Sequence, residues 1–424
     1  MNRIPIVTLL ASNALSITGN VMTQLAVPWF VLQTTGSPAR TGITGFFQFL
    51  PVVIAGFFGG TLVDRLGHRR MSAFADIASG ATVAAIPLLY ATLGLQFWQL
   101  LSLVFLGALL DTPGMTARNA LIPHAARQAD WSLERASGIN AAVERGARLA
   151  GAPFAGVLIA SVGATNVLWI DAATFMVSAV AIRIGVAVSR GDVTTPARGY
   201  MEELRDGLRF LWGDRVLRAI MMTVGVTNFL DAATVTLMPV YAQQIYGSSV
   251  SLGLLVGAGA GGSVLTALIY AARGDRLPRR KVLAACFTGA TLRYPFLSFF
   301  PTLGIAVTGQ GLSGAAAGPI NPVIDTVAYE RVPESLRGRV FGVSHAVAWT
   351  AFPLGVLVGG FLVEWVGLRT ALISIGVSYL ATTLTLWVNP SLRDMDLRPG
   401  STMLQNEFGQ AATVRSPGGS GPGL

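Results

Sequence analysis

The residues of this chain best placed to do chemistry are charges set inside long apolar runs, where an ionisable group is costly and is by default a functional hypothesis. Asp231 stands about thirteen residues into the run 218–241, close to its middle. A carboxylate there is suited to carry a proton or bind a cation; a structural hydrogen bond between helices is the plainer use for it. Asp111 precedes Arg118 by seven residues, two helical turns, so the two share a similar face. Glu144 and Arg148 are spaced i, i+4, and a self-contained ion pair explains them without further chemistry. Arg293 has no obvious partner in its own run and is left to pair with a carboxylate elsewhere or to bind an anionic group. Asp76 and Asp171 lie nearer to the ends of their runs, where snorkelling or structural bonding suffices.

Nothing else in the sequence competes with these charges as reactive machinery. Cys286 is the single cysteine, and His68, His124 and His345 are dispersed, so neither an intrachain disulfide nor a histidine-rich metal site is expected. No G-x-x-x-x-G-K-[ST] loop occurs, which leaves ATP-driven work within the chain unsupported. With no nucleophile, metal or phosphate constellation, the chain does not read as an enzyme and implies no cofactor.

The elements that must position the charges follow from composition. A chain of 424 residues with 52% hydrophobic and 12% charged residues has too little polar surface to coat a water-soluble globule. Lipid is its expected solvent. The net charge of +9 could point to nucleic acid, but 29 of the 30 basic residues are arginines scattered singly between apolar runs, a pattern of membrane topology. Runs long enough to span fall near 5–32, 41–63, 71–93, 97–118, 139–161, 165–187, 218–241, 250–272, 282–300, 302–325, 340–363 and 368–388. The first continues too far for a signal peptide and reads as a span. Their length makes them helices rather than barrel strands, so the fold class is an all-α membrane protein of about twelve spans.

Arginine sets the expected orientation. Arg65, Arg69, Arg70, Arg118, Arg127, Arg135, the stretch from Arg190 to Arg218, Arg273 to Lys281, Arg331, Arg337 and Arg339 fall on one side, and only Arg40 and Arg369 on the other. This places both termini in the cytoplasm. Met201, Leu204, Leu208 and Leu211 recur at helical steps among Glu202, Glu203, Arg205 and Arg209, which predicts an amphipathic helix on the inner surface. The expected units are 1–188 and 218–389, joined by 189–217 and followed by a disordered tail, 390–424.

The two units repeat. Pro28, Gly36 and Gly42 correspond to Pro239, Gly247 and Gly253, each pair 211 residues apart, and Asp64-Arg65-Leu66 matches Asp275-Arg276-Leu277 at the same offset. Gly138, Gly156 and Gly163 match Gly342, Gly360 and Gly367 at an offset of 204. Two pseudo-symmetric six-helix bundles with a site between them are the physical reading. The offset of 211 pairs Asp231 with Asn20, and aligning Pro123 with Pro333 pairs Asp111 with Asn321. The halves would then exchange acid for amide at two sites.

The stretch Gly60-Thr-Leu-Val-Asp64-Arg65-Leu-Gly67-His68-Arg69-Arg70 resembles the cytoplasmic signature of the major facilitator superfamily, G-x-x-x-D-R-x-G-R-[KR]-[KR], with His68 replacing one basic residue. The second copy, around Asp275 and Arg276, is degraded, with Ala271 and Pro278 in the glycine positions. The resemblance implies a cytoplasmic gate in which Asp64 faces the start of span 11 near Arg339, and Asp275 the start of span 5 near Arg145 and Arg148. Arg118 and Glu144 join that set of gate partners. Gly146, Gly151, Pro153 and Gly156 loosely resemble the span-5 motif of drug and proton antiporters, or else serve close helix packing. The LRDGLRFLW and WIDAATF segments resemble bacterial macrolide or siderophore exporters.

What the resemblance implies is a monomeric secondary transporter of the bacterial inner membrane, working by alternating access. The expected activity is efflux of a small amphipathic compound, with a proton gradient as energy source and with substrate and lipid, not nucleic acid, as partners. An uptake carrier for a nutrient or organic anion and a lysophospholipid flippase are the alternatives. Gln24, Trp29, Asn228, Tyr241 and Trp349 are candidates for a cavity lining, or for interface anchors.

Overall fold

The computed structural model describes residues 3–186 and 200–395, with the side chains of 56–66, 200–204, 275 and 335 outside the described residues. Among the described residues there is no strand. In the first half the chain runs through α1 (Ile4–Thr35), α2 (Pro38–Leu66), α3 (His68–Thr92), α4 (Phe97–Ala129), α5 (Leu133–Val162) and α6 (Ala164–Gly185). A short helix, α7 (Tyr200–Gly213), leads into α8 (Arg215–Tyr241) and α9 (Ser249–Arg273). Three spans of the second half are each broken in two: α10 (Arg279–Ala290) with α11 (Arg293–Phe299), α12 (Leu303–Ala317) with α13 (Ile320–Arg331), and α14 (Arg337–Thr350) with α15 (Phe352–Val366). The last is α16 (Leu368–Val388). The architecture is therefore the expected bundle of about twelve membrane-length rods.

Composition assigns the outer surface to lipid. Among the described residues nine helices are long and apolar enough to cross a membrane. Leu265, Leu268 and Ile269 on α9, and Val177, Val180 and Ile184 around α6, are exposed large apolar side chains that water would penalise.

The spans expected at 282–300 and 302–325 are interrupted, and each interruption sits just upstream of a proline. α10 ends before Pro295, α12 before Pro319 and Pro322, and α14 before Pro353. A proline ring lacks the N–H donor and crowds the carbonyl four residues earlier, which favours a break there. The tail expected to leave the fold at 390 stays packed through Met395. Leu392 and Met395 are buried in a 3₁₀ segment, and Arg331 donates to the Asp394 carbonyl at 2.7 Å. The two apolar residues give that short stretch a reason to dock that its polar neighbours do not suggest. The residues from 396 onward lie outside the described residues.

Call the face on which α1 begins the near face and the one on which it ends the far face. On the far face the connections are tight because glycine permits positive φ. Gly36 and Gly247 have φ of 65° and 62°, and Gly163 and Gly367 have φ of 85° and 78°. These are two of the repeat pairs, so the repeat preserves turns that a side chain would strain.

Two other repeat pairs hold the halves together. Gly42 on α2 lies against Gly360 on α15, where an added Cβ would come 2.9 Å from the Gly360 Cα. Gly253 on α9 lies against α5, where an added Cβ would come 2.7 Å from the Ala152 carbonyl and 3.1 Å from the Gly156 Cα. Pro153 packs in the same crossing, so Gly156 and Pro153 serve close packing between α5 and α9, and Gly151 packs against Val21 of α1, whereas an added methyl on Gly146 would meet nothing within 4 Å. Both crossings lie toward the far face. On α15 the Glu364 carboxylate adds a polar link across the halves, accepting from the Ala39 N–H at 3.0 Å and the Ser37 hydroxyl at 3.1 Å. At the other crossing the Ser249 hydroxyl donates to the Gly156 carbonyl at 3.0 Å.

The expected amphipathic helix is α7, and it docks on protein as well as offering a face outward. Leu211 is buried, Gly207 sits against the Arg339 carbonyl, and Leu208 remains exposed. Met201 and Leu204 are outside the described residues.

The crossings set a test of opposite signs. Gly360→Ala is expected to lower stability by about 1–3 kcal/mol, the range for overpacking. Gly138→Ala, where an added methyl meets nothing within 4 Å, is expected to gain about 0.5–1 kcal/mol from helix propensity. Thermal unfolding of both variants and the native chain in one detergent gives the order; a Gly360→Ala protein as stable as the native one would mean that the crossing tolerates a side chain.

Candidate functional site

Between the halves lies a cavity of about 1510 Å³ that both line. The charged side chains that reach it come from sequence positions that helical spacing alone could not connect.

In the second half Asp231, on α8, accepts a hydrogen bond from the Nη2 of Arg293. Arg293 is the first residue of α11, just after the break in its span. Its guanidinium carbon also stands over the rings of Tyr294, 4.9 Å from the centroid, and Tyr379, 5.6 Å away. The Tyr379 hydroxyl lies 3.5 Å from the second oxygen of Asp231. Asp231 retains 34% side-chain exposure and Arg293 17%, so the pair faces the cavity. Arg293 thus has the carboxylate elsewhere that its own span lacks.

In the first half Asp111, on α4, accepts from the Asn20 amide of α1 at 2.9 Å. Its other oxygen stands 3.9 Å from Arg118 Nη2 and has no hydrogen-bond partner. Arg118 is 1% exposed, donates to Asp76 at 2.5 Å and to the Ser16 hydroxyl at 2.9 Å, and leaves its Nε without a partner. Asp76 is fully buried and accepts from Ser178 through its second oxygen at 2.7 Å. Arg118 is therefore a core residue of the first bundle and not a gate partner at the surface, because Asp76 neutralises it where water cannot reach. Nor does Asp76 snorkel. Asp171 is likewise fully buried, accepting from Thr23 and Thr174, the structural bonding expected of it.

Other site residues divide. Asn321 lines the cavity and has no side-chain partner among the described residues, so the expected exchange of acid for amide brings Asn20 to Asp111 but leaves Asp231 with an arginine. The Glu144–Arg148 ion pair does not form. Glu144 is taken by Asn13 at 3.3 Å and Asn140 at 3.0 Å, while Arg148 lines the cavity with no ion pair among the described residues. The neutral amides reach Glu144 from α1 and from its own previous turn, and spacing within α5 does not show the first of them. Arg145 is exposed. Of the cavity candidates, Gln24, Asn228 and Trp349 line it, whereas Trp29 and Tyr241 are buried in the core.

At the near face Gly67 has a φ of 79° and caps α3, which gives the signature glycine a conformational reason. Arg70 and Arg276 are exposed and Arg69 is half-buried. Arg339 donates to Asp206 of α7 at 3.2 Å. The side chains of Gly60, Asp64, Arg65 and Asp275, and with them both expected latches, lie outside the described residues.

A bundle of about twelve rods around one central cavity is matched by the family model described as Major Facilitator Superfamily, over residues 9–269 and 249–405. The chain belongs to the major facilitator superfamily. Among its relatives is the multidrug efflux pump Tap of Mycobacterium tuberculosis, 34% identical over 404 residues that cover 94% of this chain and 96% of Tap. Macrolide efflux protein A of Streptococcus pyogenes is 19% identical over 399 residues, 92% of this chain and 97% of that one. The crystal structure of the nucleoside transporter NupG superposes with a TM-score of 0.77 at 12% identity, over 92% of this chain and 99% of NupG, a likeness of fold alone.

Within this major facilitator, sequence reasoning missed Glu364, Tyr294 and Tyr379. Glu364 was detectable as an acid near the end of an apolar run. The tyrosines carry no such signal, since Tyr294 and Tyr379 are buried at 2% and 1% exposure and read as ordinary apolar positions.

The buried charges predict a stability pattern. Arg118→Met is expected to cost about 3–5 kcal/mol because it strands the Asp76 carboxylate. Adding Asp76→Asn is expected to restore a large part of that loss. Thermal denaturation of the purified single and double variants compares them, and a double variant no more stable than the single would show that Arg118 matters for its shape and not its charge.

Proposed function

We propose that this major facilitator exports small amphipathic compounds from a bacterial cytoplasm in exchange for protons, by alternating access, as a monomer. The observation that carries the reading is the Asp231–Arg293 pair, a carboxylate and guanidinium meeting across α8 and α11 at the wall of the cavity. The 34% identity to a multidrug efflux pump over nearly the whole chain supports the substrate class and the direction.

The chemistry follows from charge. An ionised Asp231 is stabilised by Arg293, and protonating it removes the attraction that holds the two together. Arg293 is then left to its aromatic neighbours and to solvent in the cavity. A change in which conformation is favoured requires a ligand with different free energies in the two states, and a proton on Asp231 meets that requirement. Asp111, with one oxygen unpartnered beside Arg118, is the second candidate. Its amide partner Asn20 holds only one of its oxygens.

In this reading the near face is cytoplasmic, since it carries most of the arginines of the connections. The glycine crossings and Glu364 then close the external side, while Arg339 and Gly342, which line the cavity, mark its cytoplasmic end.

Inside-out vesicles with an imposed pH gradient test the reading. Uptake of a fluorescent amphiphile is expected to follow the gradient with the native chain and to fall to the level of protein-free vesicles with Asp231→Asn, at equal protein amount. Gradient-driven uptake retained in that variant would remove Asp231 as the proton carrier and leave Asp111→Asn as the next variant; no uptake of cationic, neutral or anionic amphiphiles would remove the export reading itself.

A further inference from the structure

Proton coupling makes no use of the aromatic side of the cavity. His345 and Trp349 lie one turn apart on α14, Phe352 opens α15, and Phe49 comes from α2 in the other half. Their ring centroids follow one another at 5.9, 4.9 and 4.9 Å, with interplanar angles of 31°, 40° and 68°. All four residues line the cavity.

The backbone builds this row. The break between α14 and α15 falls two residues before Pro353, so Trp349 and Phe352 sit on either side of it. Asn228 of α8 donates to the Ala348 carbonyl at 2.8 Å, in the last turn before the break, and so ties the row to the helix that carries Asp231. Trp349 is nonetheless 38% exposed, and it lines the cavity.

We infer that this row is a stacking subsite that selects planar fused-ring amphiphiles over non-planar ones of the same charge, with Trp349 as its specificity-determining residue. The inference rests on the export reading for its biological use but not for its physics. Aromatic faces attract other aromatic rings in offset or edge geometry, beyond what their buried area supplies. A flat ring system laid on Trp349 covers the exposed indole and meets the neighbouring rings at stacking distance. A propeller-shaped molecule of equal charge has no fused plane to lay along the row and covers the indole less completely. An aliphatic side chain at 349 would keep the cavity apolar and lose this discrimination.

The test uses the full chain in lipid nanodiscs and two monovalent aromatic cations, acridine orange, which is flat, and tetraphenylphosphonium, which is not. Equilibrium binding is measured for the native chain, Trp349→Leu and Trp349→Phe. Trp349→Leu is expected to weaken acridine orange by about 2- to 10-fold, the range of one aromatic pair, and to leave tetraphenylphosphonium nearly unchanged. Trp349→Phe is expected to recover most of the loss. Equal weakening of both cations, no weakening of acridine orange, or no binding of it by the native chain would each overturn the subsite. Gradient-driven uptake of acridine orange above the passive accumulation of this weak base in protein-free vesicles separates the two readings: binding with the expected pattern but no such excess would leave the subsite standing and remove the export reading.

Discussion

Where α2 meets α15, the backbones come so close that a methyl group on Gly360 would lie 2.6 Å from the Pro38 carbonyl and 2.7 Å from the Gly42 Cα. The same thing happens where α5 meets α9, at Gly156 and Gly253. Such approaches are available only to glycine, and they bring the halves into direct backbone contact on the far face while the cavity remains between them farther in. The sequence repeat is the imprint of this constraint. Gly42 and Gly253 are one repeat pair and Gly156 and Gly360 another, so each crossing joins a member of one pair to a member of the other. Two like halves facing each other produce that pattern automatically, since whatever one half needs at its first contact helix the other needs at its counterpart.

Much of the fold was legible for the same reason. Span length, the arginine imbalance and paired glycines each report a constraint that acts locally on the chain, from bilayer thickness, topology or a turn with positive φ. Gly36, Gly163, Gly247 and Gly367 are visible in the sequence as repeats, and all four occupy such turns. The charges were visible too, but their partners were not. Helical spacing says which residues share a face of one helix and nothing about which neighbouring helix meets that face. So Glu144 and Arg148 look like a pair at i, i+4 and yet part, because Asn13 of α1 reaches the acid first. Arg118 reads as a surface arginine at the end of a span, whereas α4 continues to Ala129 and carries it inward to Asp76. Arg293 is the converse case: it has no carboxylate partner within its own span, and just past the break ahead of Pro295 it meets Asp231 of α8.

The halves use charge differently despite their shared sequence pattern. The first buries Asp76, Arg118 and Asp171 away from the cavity, each with hydrogen-bonding partners, and its spans pass through Pro28, Pro51, Pro87, Pro113 and Pro153 without breaking. The second places its ion pair at the cavity wall and breaks three of its spans near prolines. A buried ion pair held by hydrogen-bonding partners resists rearrangement, because moving one member strands another. A broken helix has fewer backbone bonds to lose when its halves change angle. In the proposed cycle this casts the first half as the more rigid body and the broken spans of the second as the parts that bend around the substrate.

The two crossings are alike in steric terms but not in their polar support. Glu364 brings a carboxylate to the first turn of α2, where N–H groups have no partner in their own helix and the helix dipole favours negative charge. Among the described residues the α5–α9 crossing has only the Ser249 hydroxyl on a carbonyl, a neutral bond. Charge-assisted bonds are roughly twice as strong as neutral ones, although Glu364 is exposed and water competes for it. If the far face parts during transport, the two contacts are therefore unequal. Separation of α2 from α15 breaks a charge-assisted contact that separation of α5 from α9 does not, so the two sides of a nearly symmetric bundle differ in polar support. Phe49 and Phe352 meet across the same α2–α15 seam and add an aromatic contact to it.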